Sequence, residues 1–243
     1  MMAKEQGHGS AGKAAQRLSV IVPTLNESVQ LPGLIERLRM EAPGVEIIVA
    51  DGGSRDATCA VAERLADGVI KTDAGRARQQ NAGARRATRG ILWFLHADCL
   101  PPGGPAEAIA ACIDAGAVGG CFQLQLPGDD AILRISDQLG NLAVDLAGVA
   151  YGDHGIFCTR DAFERAGGFP AQDLFEDADF YRALRRIGPV RQLRAKLQAS
   201  SRRYRRYGPV RTTAAFLLLT GLYALNLPRP ALARLYRRFF TAG

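Results

Sequence analysis

The stretch Gly90-Ile91-Leu92-Trp93-Phe94-Leu95-His96-Ala97-Asp98 decides the fold. Its five bulky apolar residues do not alternate with polar ones, which is typical of a strand buried on both faces in a parallel sheet covered by helices. We expect an exposed Asp98 at the end of this strand, and a helix that starts at Pro101-Pro102. Ligands of open α/β sheets bind at the carboxyl ends of the strands, so Asp98 can hold a divalent cation and, through it, a diphosphate. The alternative is that Asp98 only caps the next helix.

Length, charge and cysteine content limit the alternatives. The chain of 243 residues suffices for one large domain with an appendage. Its net charge of +7 is concentrated in residues 182–211 and 229–238, without a recognised nucleic-acid-binding motif. Five scattered cysteines favour buried thiols in a reducing, cytoplasmic compartment. Residues 1–16 contain no apolar signal-peptide segment, and we predict that they form a disordered leader.

The first half of the chain alternates strands and helices. Strands are predicted at 18–23, 45–50 and 68–71, each followed by a helix, before the strand at 91–95. The first of these helices is predicted to start at Asn26 or Ser28 and to run to about Met40. This order predicts an α/β fold: a nucleotide-binding, mostly parallel sheet flanked by helices. Asp51 and Asp98 should then lie at the same edge of the sheet.

The second half of the chain is less regular. Strands are predicted at 118–126, 155–159 and 190–200, with helices between them. We place the domain at residues 17–200, followed at 201–243 by a basic loop and a C-terminal helical extension. The two helices of the extension each have a proline near the start.

Six motifs carry a resemblance to a known family. They are Val-Pro-Thr-Leu-Asn-Glu (22–27), Asp-Gly-Gly-Ser-Arg-Asp-Ala-Thr (51–58), Gly-Arg-Ala-Arg-Gln-Gln-Asn-Ala-Gly-Ala (75–84), Phe-Leu-His-Ala-Asp (94–98), Gly-Gly-Phe-Pro (167–170) and Glu-Asp-Ala-Asp-Phe (176–180). In this order, over residues 18–187, they resemble the family 2 glycosyltransferases. The third motif and Tyr-Gly-Asp-His (151–154) also resemble a small bacterial group associated with radical-SAM/selenodomain or arsenosugar proteins.

The resemblance implies a GT-A fold, a nucleotide-diphosphate sugar donor, expected to be UDP-linked, and inversion at the anomeric carbon. It also implies a divalent cation, Mn²⁺ or Mg²⁺. The family's functional positions fall here on Pro23, Thr24 and Glu27 for the nucleoside, Asp51 for the base or ribose, Asp98 for the metal and Asp177 for the general base.

One position departs from the family pattern. His96 stands where the first aspartate of the Asp-x-Asp metal motif is expected, and Ala97 separates it from Asp98. His96 and Ala97 are both candidates for binding the donor. Imidazole prefers borderline metals, whereas Mg²⁺ and Mn²⁺ favour oxygen ligands. His96 could bind the metal, contact the ribose of the donor or only pack, and we favour a role other than metal ligand. A single carboxylate is sufficient for Mg²⁺, which keeps several waters and binds phosphates directly.

The chemistry itself requires a base. The leaving diphosphate gains negative charge, which a metal and arginines stabilise. The attacking hydroxyl must lose its proton, and a carboxylate within hydrogen-bond reach can accept it. We assign this role to Asp177, with Glu176 and Asp179 as neighbours that could be mistaken for it. The alternative is that these acids only favour a helix N-terminus.

Polar side chains elsewhere supply further candidates. On the helix that begins at Arg76, we expect Arg76, Gln80 and Asn81 to grip the base and diphosphate from the side opposite Asp51, and a solvated helix face is the alternative. Asp153 and His154 lie between glycines, which permit close approach of a ligand to the backbone. They are candidates for binding the acceptor or completing the metal shell, and a structural histidine is the alternative.

The basic stretch at 200–208 interleaves arginines with tyrosines. It could be a solvated surface, a contact with anionic lipid or a lid on the donor diphosphate, because arginine forms bidentate bonds to phosphate. We favour a lid formed by Arg202 or Arg203. Residues 214–227, apolar nearly all round, are either packed within the chain, covered by a second copy in a homodimer, or in peripheral contact with an anionic membrane on its cytoplasmic face.

Two other classes of protein compete with a glycosyltransferase. A non-catalytic nucleotide-sugar binding protein on the same fold would also tolerate the histidine at position 96. A nucleotidyltransferase would require a Gly-rich basic loop after the first strand, and Pro23-Thr24-Leu25-Asn26 is not such a loop.

Overall fold

The computed structural model describes residues 12–172 and 174–240 as a mixed α/β fold. Its strands form one sheet in the order β3-β2-β1-β4-β6-β5-β7. They are β1 Leu18–Thr24, β2 Glu46–Asp51, β3 Gly68–Lys71, β4 Ile91–Phe94, β5 Gly119–Gln125, β6 Phe157–Thr159 and β7 Val190–Gln198. The α-helices of six or more residues in this part of the chain are α1 Leu31–Glu41, α2 Thr58–Leu65, α3 Arg76–Arg86, α4 Pro105–Asp114, α5 Ala131–Ala147, α6 Arg160–Ala166, α7 Glu176–Ile187, α8 Arg202–Tyr207, α9 Pro209–Ala224 and α10 Arg229–Phe240.

The prediction of a mostly parallel sheet is confirmed. Strands β1 to β4 are parallel, and β5 is parallel to β7, while β6 runs antiparallel between β4 and β5. Thr24 lies opposite Asp51 in the pairing of β1 with β2, and Ile21 lies opposite Phe94 in the pairing of β1 with β4. The chain therefore leaves β2 and β4 at the same edge of the sheet, as predicted for Asp51 and Asp98.

The strand that decides the fold is buried on both faces, as its sequence predicts. Trp93 packs in the core cluster that contains the apolar face of α1, whereas Leu92 and Phe94 pack in the cluster that contains Ala84 of α3. All three side chains are at most 1% exposed. Helices on both faces exclude water from the whole strand, and only the residues that follow it can reach a ligand.

Several predicted boundaries differ from the structure. Residues 12–15 form a helical turn, and Ala15 is fully buried, so the predicted leader extends too far; residues 1–11 lie outside the described residues. Helix α1 begins at Leu31 and not at Asn26 or Ser28, because Asn26 has a left-handed backbone with φ of 57°. The helix expected at Pro101-Pro102 begins at Pro105.

The predicted basic loop at 200–208 is wrong, because most of it forms helix α8. Tyr204 is the buried residue of this helix, and its hydroxyl lies 2.7 Å from the Ser136 hydroxyl on α5. One aromatic side chain thus anchors the helix to the domain, while Arg205 and Arg206 face solvent.

The C-terminal helices pack on the rest of the chain. The Arg229 guanidinium donates to both carboxylate oxygens of Asp179 at 2.9 and 2.6 Å, and the Tyr223 hydroxyl donates to the same carboxylate at 2.7 Å. No helix within residues 12–172 and 174–240 is long and apolar enough to cross a membrane. Leu217, Leu218 and Leu225 remain exposed. Contact of these helices with a second copy or an anionic membrane, and a cytoplasmic location, stay predictions.

Gly83 shows how closely α3 approaches the sheet. A Cβ atom at this position would lie 2.4 Å from Cγ2 of Ile21 on β1. Gly83→Ala should therefore lower the free energy of unfolding by about 1–3 kcal/mol through overpacking, although alanine is the better helix former. Urea denaturation measures the change.

Gly33 in α1 provides the matched control, because it is exposed and a Cβ atom there would meet nothing within 4 Å. Gly33→Ala should raise the free energy of unfolding by about 0.5–1 kcal/mol. Equal effects of the two substitutions would contradict the close contact between α3 and β1.

Candidate functional site

The turn after β2 is organised by Asp51, which is 1% exposed. One carboxylate oxygen accepts hydrogen bonds from the backbone N–H groups of Gly53 and Ser54 at 3.0 and 2.8 Å, and the other accepts from the hydroxyls of Ser54 and Thr24. Burial raises the pKa of Asp51, but these hydrogen bonds outweigh it and leave the pKa below its ordinary value. Asp51 therefore fixes the turn, and direct contact with a nucleoside stays a prediction.

Gln79 on α3 is a site residue that the sequence analysis missed. Its amide nitrogen donates to the carbonyl oxygens of Thr24 and Ala50 at 2.7 and 2.8 Å, and the side chain is 3% exposed. Gln79 thus ties the ends of β1 and β2 together. The only signal in the sequence is a pair of adjacent glutamines among small residues on an otherwise charged helix.

Arg202 joins two acids from distant parts of the chain. Its Nη2 atom donates to Glu27 at 3.0 Å and to Asp98 at 2.7 Å. The expectation of an exposed Asp98 is corrected, since its side chain is only 21% exposed beneath this guanidinium. Burial raises the pKa of Asp98, but His96 and Arg202 outweigh it, so the pKa lies below its ordinary value.

Asp177 at the start of α7 is held by two donors. One carboxylate oxygen accepts from the backbone N–H of Gly152 at 3.0 Å, and the other accepts from the Gln80 amide at 3.3 Å. The predicted contact of Gln80 with the nucleotide, from the side opposite Asp51, stays a prediction. The contact of Gln80 with Asp177 orients the carboxylate that we expect to act as the base.

Glu176 lies next to Asp177 but is 1% exposed. Its Oε1 atom lies 2.6 Å from Nε of Arg76, so Arg76 also contacts α7. The predicted contact of Arg76 with the donor, from the side opposite Asp51, stays a prediction. Burial, reinforced by the charge of Asp177 and opposed by Arg76, raises the pKa of Glu176 to about 7. This carboxyl group is protonated in part at neutral pH.

Three other candidates make structural contacts. Asn81 pairs with the backbone N–H and carbonyl of Phe169 at 2.9 and 2.8 Å, which holds the Gly-Gly-Phe-Pro turn. Asp179 is held by Arg229 and Tyr223, and it therefore does not compete with Asp177 for the role of base. Arg203 lies over the rings of three aromatic residues at 5.3–5.8 Å, namely Phe216, Tyr236 and Phe240.

The two site histidines differ in their contacts. A Cβ atom at Gly152 would lie 2.3 Å from Nε2 of His96 and 2.8 Å from Oδ2 of Asp177, so a larger residue at position 152 would displace at least one of these side chains. Nε2 of His96 is buried without a hydrogen-bond partner among the described residues. Nδ1 of His154 lies 3.2 Å from the Phe122 carbonyl oxygen, and burial lowers the pKa of His154.

These groups surround one end of a cavity of about 470 Å³. Asp153 and His154 line it together with Asp177, whereas Ala97 is buried behind it at 4% exposure. Among the described residues, none that lines this cavity comes from β1 or β2. The lining of the cavity therefore does not include the strand ends at the turn that Asp51 organises.

The residues fit a divalent cation only if another molecule supplies most of its ligands. Within the described chain, no group of three or more His, Cys, Asp or Glu side chains is placed to hold a metal. Asp98 provides one carboxylate, and the unpartnered Nε2 of His96 lies close by. Mg²⁺ is commonly held by one or two carboxylates plus substrate phosphates, and this donor set matches that arrangement.

Comparison with solved structures identifies the fold. The model superimposes on the mannosyltransferase PcManGT from Pyrobaculum calidifontis with a TM-score of 0.64 and 22% identity, over 89% of this chain and 68% of that one. It superimposes on glucosyl-3-phosphoglycerate synthase from Mycobacterium tuberculosis with a TM-score of 0.63 and 17% identity, over 91% and 84% of the two chains. The fold is that of the GT-A glycosyltransferases.

Part of the sequence matches a known protein family. Residues 19–139, about half of the chain, match the model for "Glycosyl transferase family 2". Polyprenol monophosphomannose synthase of Mycolicibacterium smegmatis is 42% identical over 66 residues, which are 26% of this chain and 25% of that protein. The chain spans only about a quarter to a third of the length of the curated relatives that it matches.

The raised pKa of Glu176 predicts how stability depends on pH. The folded state binds this proton more tightly than the unfolded state, whose carboxyl has the ordinary pKa of 4.5. Wild-type stability should therefore fall between about pH 4.5 and pH 7, and Glu176→Gln should remove roughly 1–3 kcal/mol of that fall. Urea denaturation of both proteins at pH 5 and pH 8 gives the difference.

Glu164, an exposed acid on α6, supplies the control. Glu164→Gln should keep the pH dependence of the wild type. If Glu176→Gln keeps it as well, Glu176 is already ionised in the folded protein at pH 5.

Proposed function

We propose that this protein transfers a sugar from a nucleotide-diphosphate sugar to an acceptor hydroxyl with inversion at the anomeric carbon. One observation carries the proposal: Asp177, oriented by Gly152 and Gln80, faces the cavity that begins at Asp98. A single carboxylate opposite the donor edge is what a one-step displacement needs, since only one proton has to be accepted.

The donor is proposed to bind at the edge formed by β1, β2 and β4. The ordered turn at Asp51 and the backbone beyond Thr24 would receive the nucleoside, with Pro23 and Glu27 beside it. Its diphosphate would then reach Asp98, where Arg202 supplies positive charge. We propose a UDP-linked donor, and the resemblance to the arsenosugar-associated group remains a prediction that does not name the substrate.

Arg202 is proposed to act as the lid. It neutralises Glu27 and Asp98 when no diphosphate is present, and its side chain is 47% exposed. An arginine with two carboxylate partners can exchange one of them for a phosphate oxygen without losing a charged partner. If Arg202 exchanges Asp98 for a phosphate oxygen, the carboxylate of Asp98 becomes free.

A divalent cation is proposed at Asp98. When bound, Mn²⁺ or Mg²⁺ would stabilise the negative charge that develops on the leaving diphosphate. The two similar structures are complexes with Mn²⁺ that also contain GDP-Man in one case and UDP in the other. In this chain, Asp98 would supply the carboxylate ligand.

The proton acceptor is tested with Asp177→Asn. An amide keeps the shape and the contact with Gly152 but cannot take the proton, so release of nucleoside diphosphate from a panel of nucleotide sugars should fall by about 10²–10⁴-fold. Affinity for the nucleoside diphosphate should change by less than about threefold, because Asp177 lies outside the donor edge.

Glu176→Gln is the control for this substitution, since it removes the adjacent carboxylate. Turnover at the wild-type rate in Asp177→Asn, with loss in Glu176→Gln, would transfer the role of base to Glu176. Nucleotide binding by the wild type without any turnover on the panel would instead support a non-catalytic nucleotide-sugar binding protein.

The metal site is tested by comparing Asp98→Ala with His96→Ala. Affinity for UDP and GDP is measured by calorimetry with and without Mn²⁺. The gain in affinity from Mn²⁺ should be lost in Asp98→Ala, by about tenfold or more, and retained for the most part in His96→Ala. An undiminished effect of Mn²⁺ in Asp98→Ala would place the cation elsewhere.

A further inference from the structure

The cavity beyond Asp177 changes character along its length. Its polar end contains His96, Asp153 and Asp177. Away from these residues, the wall is formed by β5, α5 and the C-terminal helices. The apolar side chains on this part of the wall are Leu124, Leu126, Leu139, Ala143, Phe216, Leu217, Leu219 and Phe240. A polar end followed by an apolar extension matches an amphipathic ligand.

The polar groups on the apolar part already have partners. The Ser136 and Tyr204 hydroxyls lie 2.7 Å apart, and the hydroxyls of Tyr151 and Thr220 also lie 2.7 Å apart. Within each pair the two hydroxyls form a hydrogen bond with each other. A ligand in this part of the cavity therefore meets apolar surface and no unpaired hydroxyl of these four residues. Burial of an apolar group against such a surface is favourable in proportion to its area.

The arginines around the cavity are partnered as well. Arg76 contacts Glu176, and Arg202 contacts Glu27 and Asp98. Arg203 lies over aromatic rings, and Arg206 lies 5.2 Å from the centroid of the Tyr207 ring. A phosphate head that bound Arg76 would have to displace its carboxylate partner Glu176. It would also have no use for a base, because a phosphate oxygen is already ionised when it attacks.

The apolar end of the cavity reaches the surface at Leu217. This side chain lines the cavity and is 44% exposed. A ligand longer than the cavity can therefore extend past Leu217 without displacing the core of the domain.

We infer that the acceptor is a neutral alcohol that carries an elongated apolar group. Its hydroxyl lies at Asp177, and its apolar group fills the cavity between α5 and α9 and leaves at Leu217. The inference rests on the proposed function for the role of the hydroxyl, whereas the binding of the apolar group can be tested without turnover. In the reaction, the hydroxyl oxygen forms the new bond to the anomeric carbon, its proton goes to Asp177, and the nucleoside diphosphate leaves.

The test measures binding of alkyl β-D-glucosides with chains of four, six and eight carbons, below their micelle-forming concentrations, by calorimetry. Affinity should rise with chain length, by up to about fourfold for each methylene that is fully buried. Octyl phosphate serves as the charged competitor and should bind more weakly than octyl glucoside. Affinity that does not depend on chain length, or tighter binding of octyl phosphate, would overturn the inference.

Two matched pairs of variants locate the apolar group. Leu217→Ser should weaken octyl glucoside more than butyl glucoside, whereas Leu218→Ser should not, because Leu218 is 45% exposed but lies outside the lining of the cavity. Ala143→Phe should abolish the dependence on chain length by filling the cavity, whereas Leu146→Phe, at a position 76% exposed on the same helix, should retain it. Equal behaviour within both pairs would contradict this placement.

The binding of UDP and GDP by the wild-type protein tests the transferase proposal separately from the proposal of an apolar acceptor. Nucleotide binding and turnover on a hydrophilic acceptor, without any effect of chain length, would leave the transferase proposal intact and overturn the apolar acceptor. Dependence on chain length that follows the matched pairs would support the apolar site even if no donor on the panel were turned over.

Discussion

The burial of β4 on both faces is the constraint on which the rest of the structure depends. A strand that carries Trp93 and Leu92 on opposite faces must be covered twice, which requires helices on both sides of the sheet. Strands connected by such helices run parallel, so their carboxyl ends meet at one edge. Asp98 is therefore brought to the same edge as Asp51 by the packing of residues that never contact a ligand.

Placing acids together at one edge creates an electrostatic requirement. Buried or half-buried carboxylates are unfavourable unless they are paired or hydrogen-bonded. The partners come from distant positions: Arg202 contacts Asp98, and Arg76 contacts Glu176. Asp177 receives two neutral N–H donors instead of a cation among its recorded hydrogen bonds. The charge of Arg76 also acts on Asp177, although the ion pair of Arg76 is with Glu176.

The sequence predicts most of the sheet and the identity of the acids, because both depend on local patterns. An unbroken apolar run indicates a buried strand, and a carboxylate at its end can be recognised from the same stretch of sequence. Arg202 and Asp98 are 104 positions apart in the sequence, and no local pattern around either residue predicts that they pair. The predicted loop around Arg202 failed for a similar reason: helix α8 depends on Tyr204 reaching Ser136 on another helix.

The contacts of α3 illustrate the same limit. A helix face with Arg76 and Gln80 indicates ligand binding from its composition, but composition does not say which strand end or helix the face will meet. Gln80 meets Asp177, and Gln79, one position away, ties β1 to β2. Successive side chains on an α-helix point about 100° apart, so Gln79 and Gln80 face different parts of the protein. Only the packed structure shows which part each of them contacts.

The family match covers the first half of the chain, which explains why sequence similarity says more about the proposed donor than about the acceptor. The family match ends at residue 139, and it covers the strands whose edge we propose as the donor site. The cavity beyond Asp177 is built largely from residues after that point, on the second half of α5 and on α8 to α10. A family relationship confined to the first half therefore constrains the donor, whereas the acceptor must be deduced from the shape and polarity of the second half. In this chain that half presents self-paired hydroxyls and an apolar wall, which support the apolar alcohol that we propose as the acceptor.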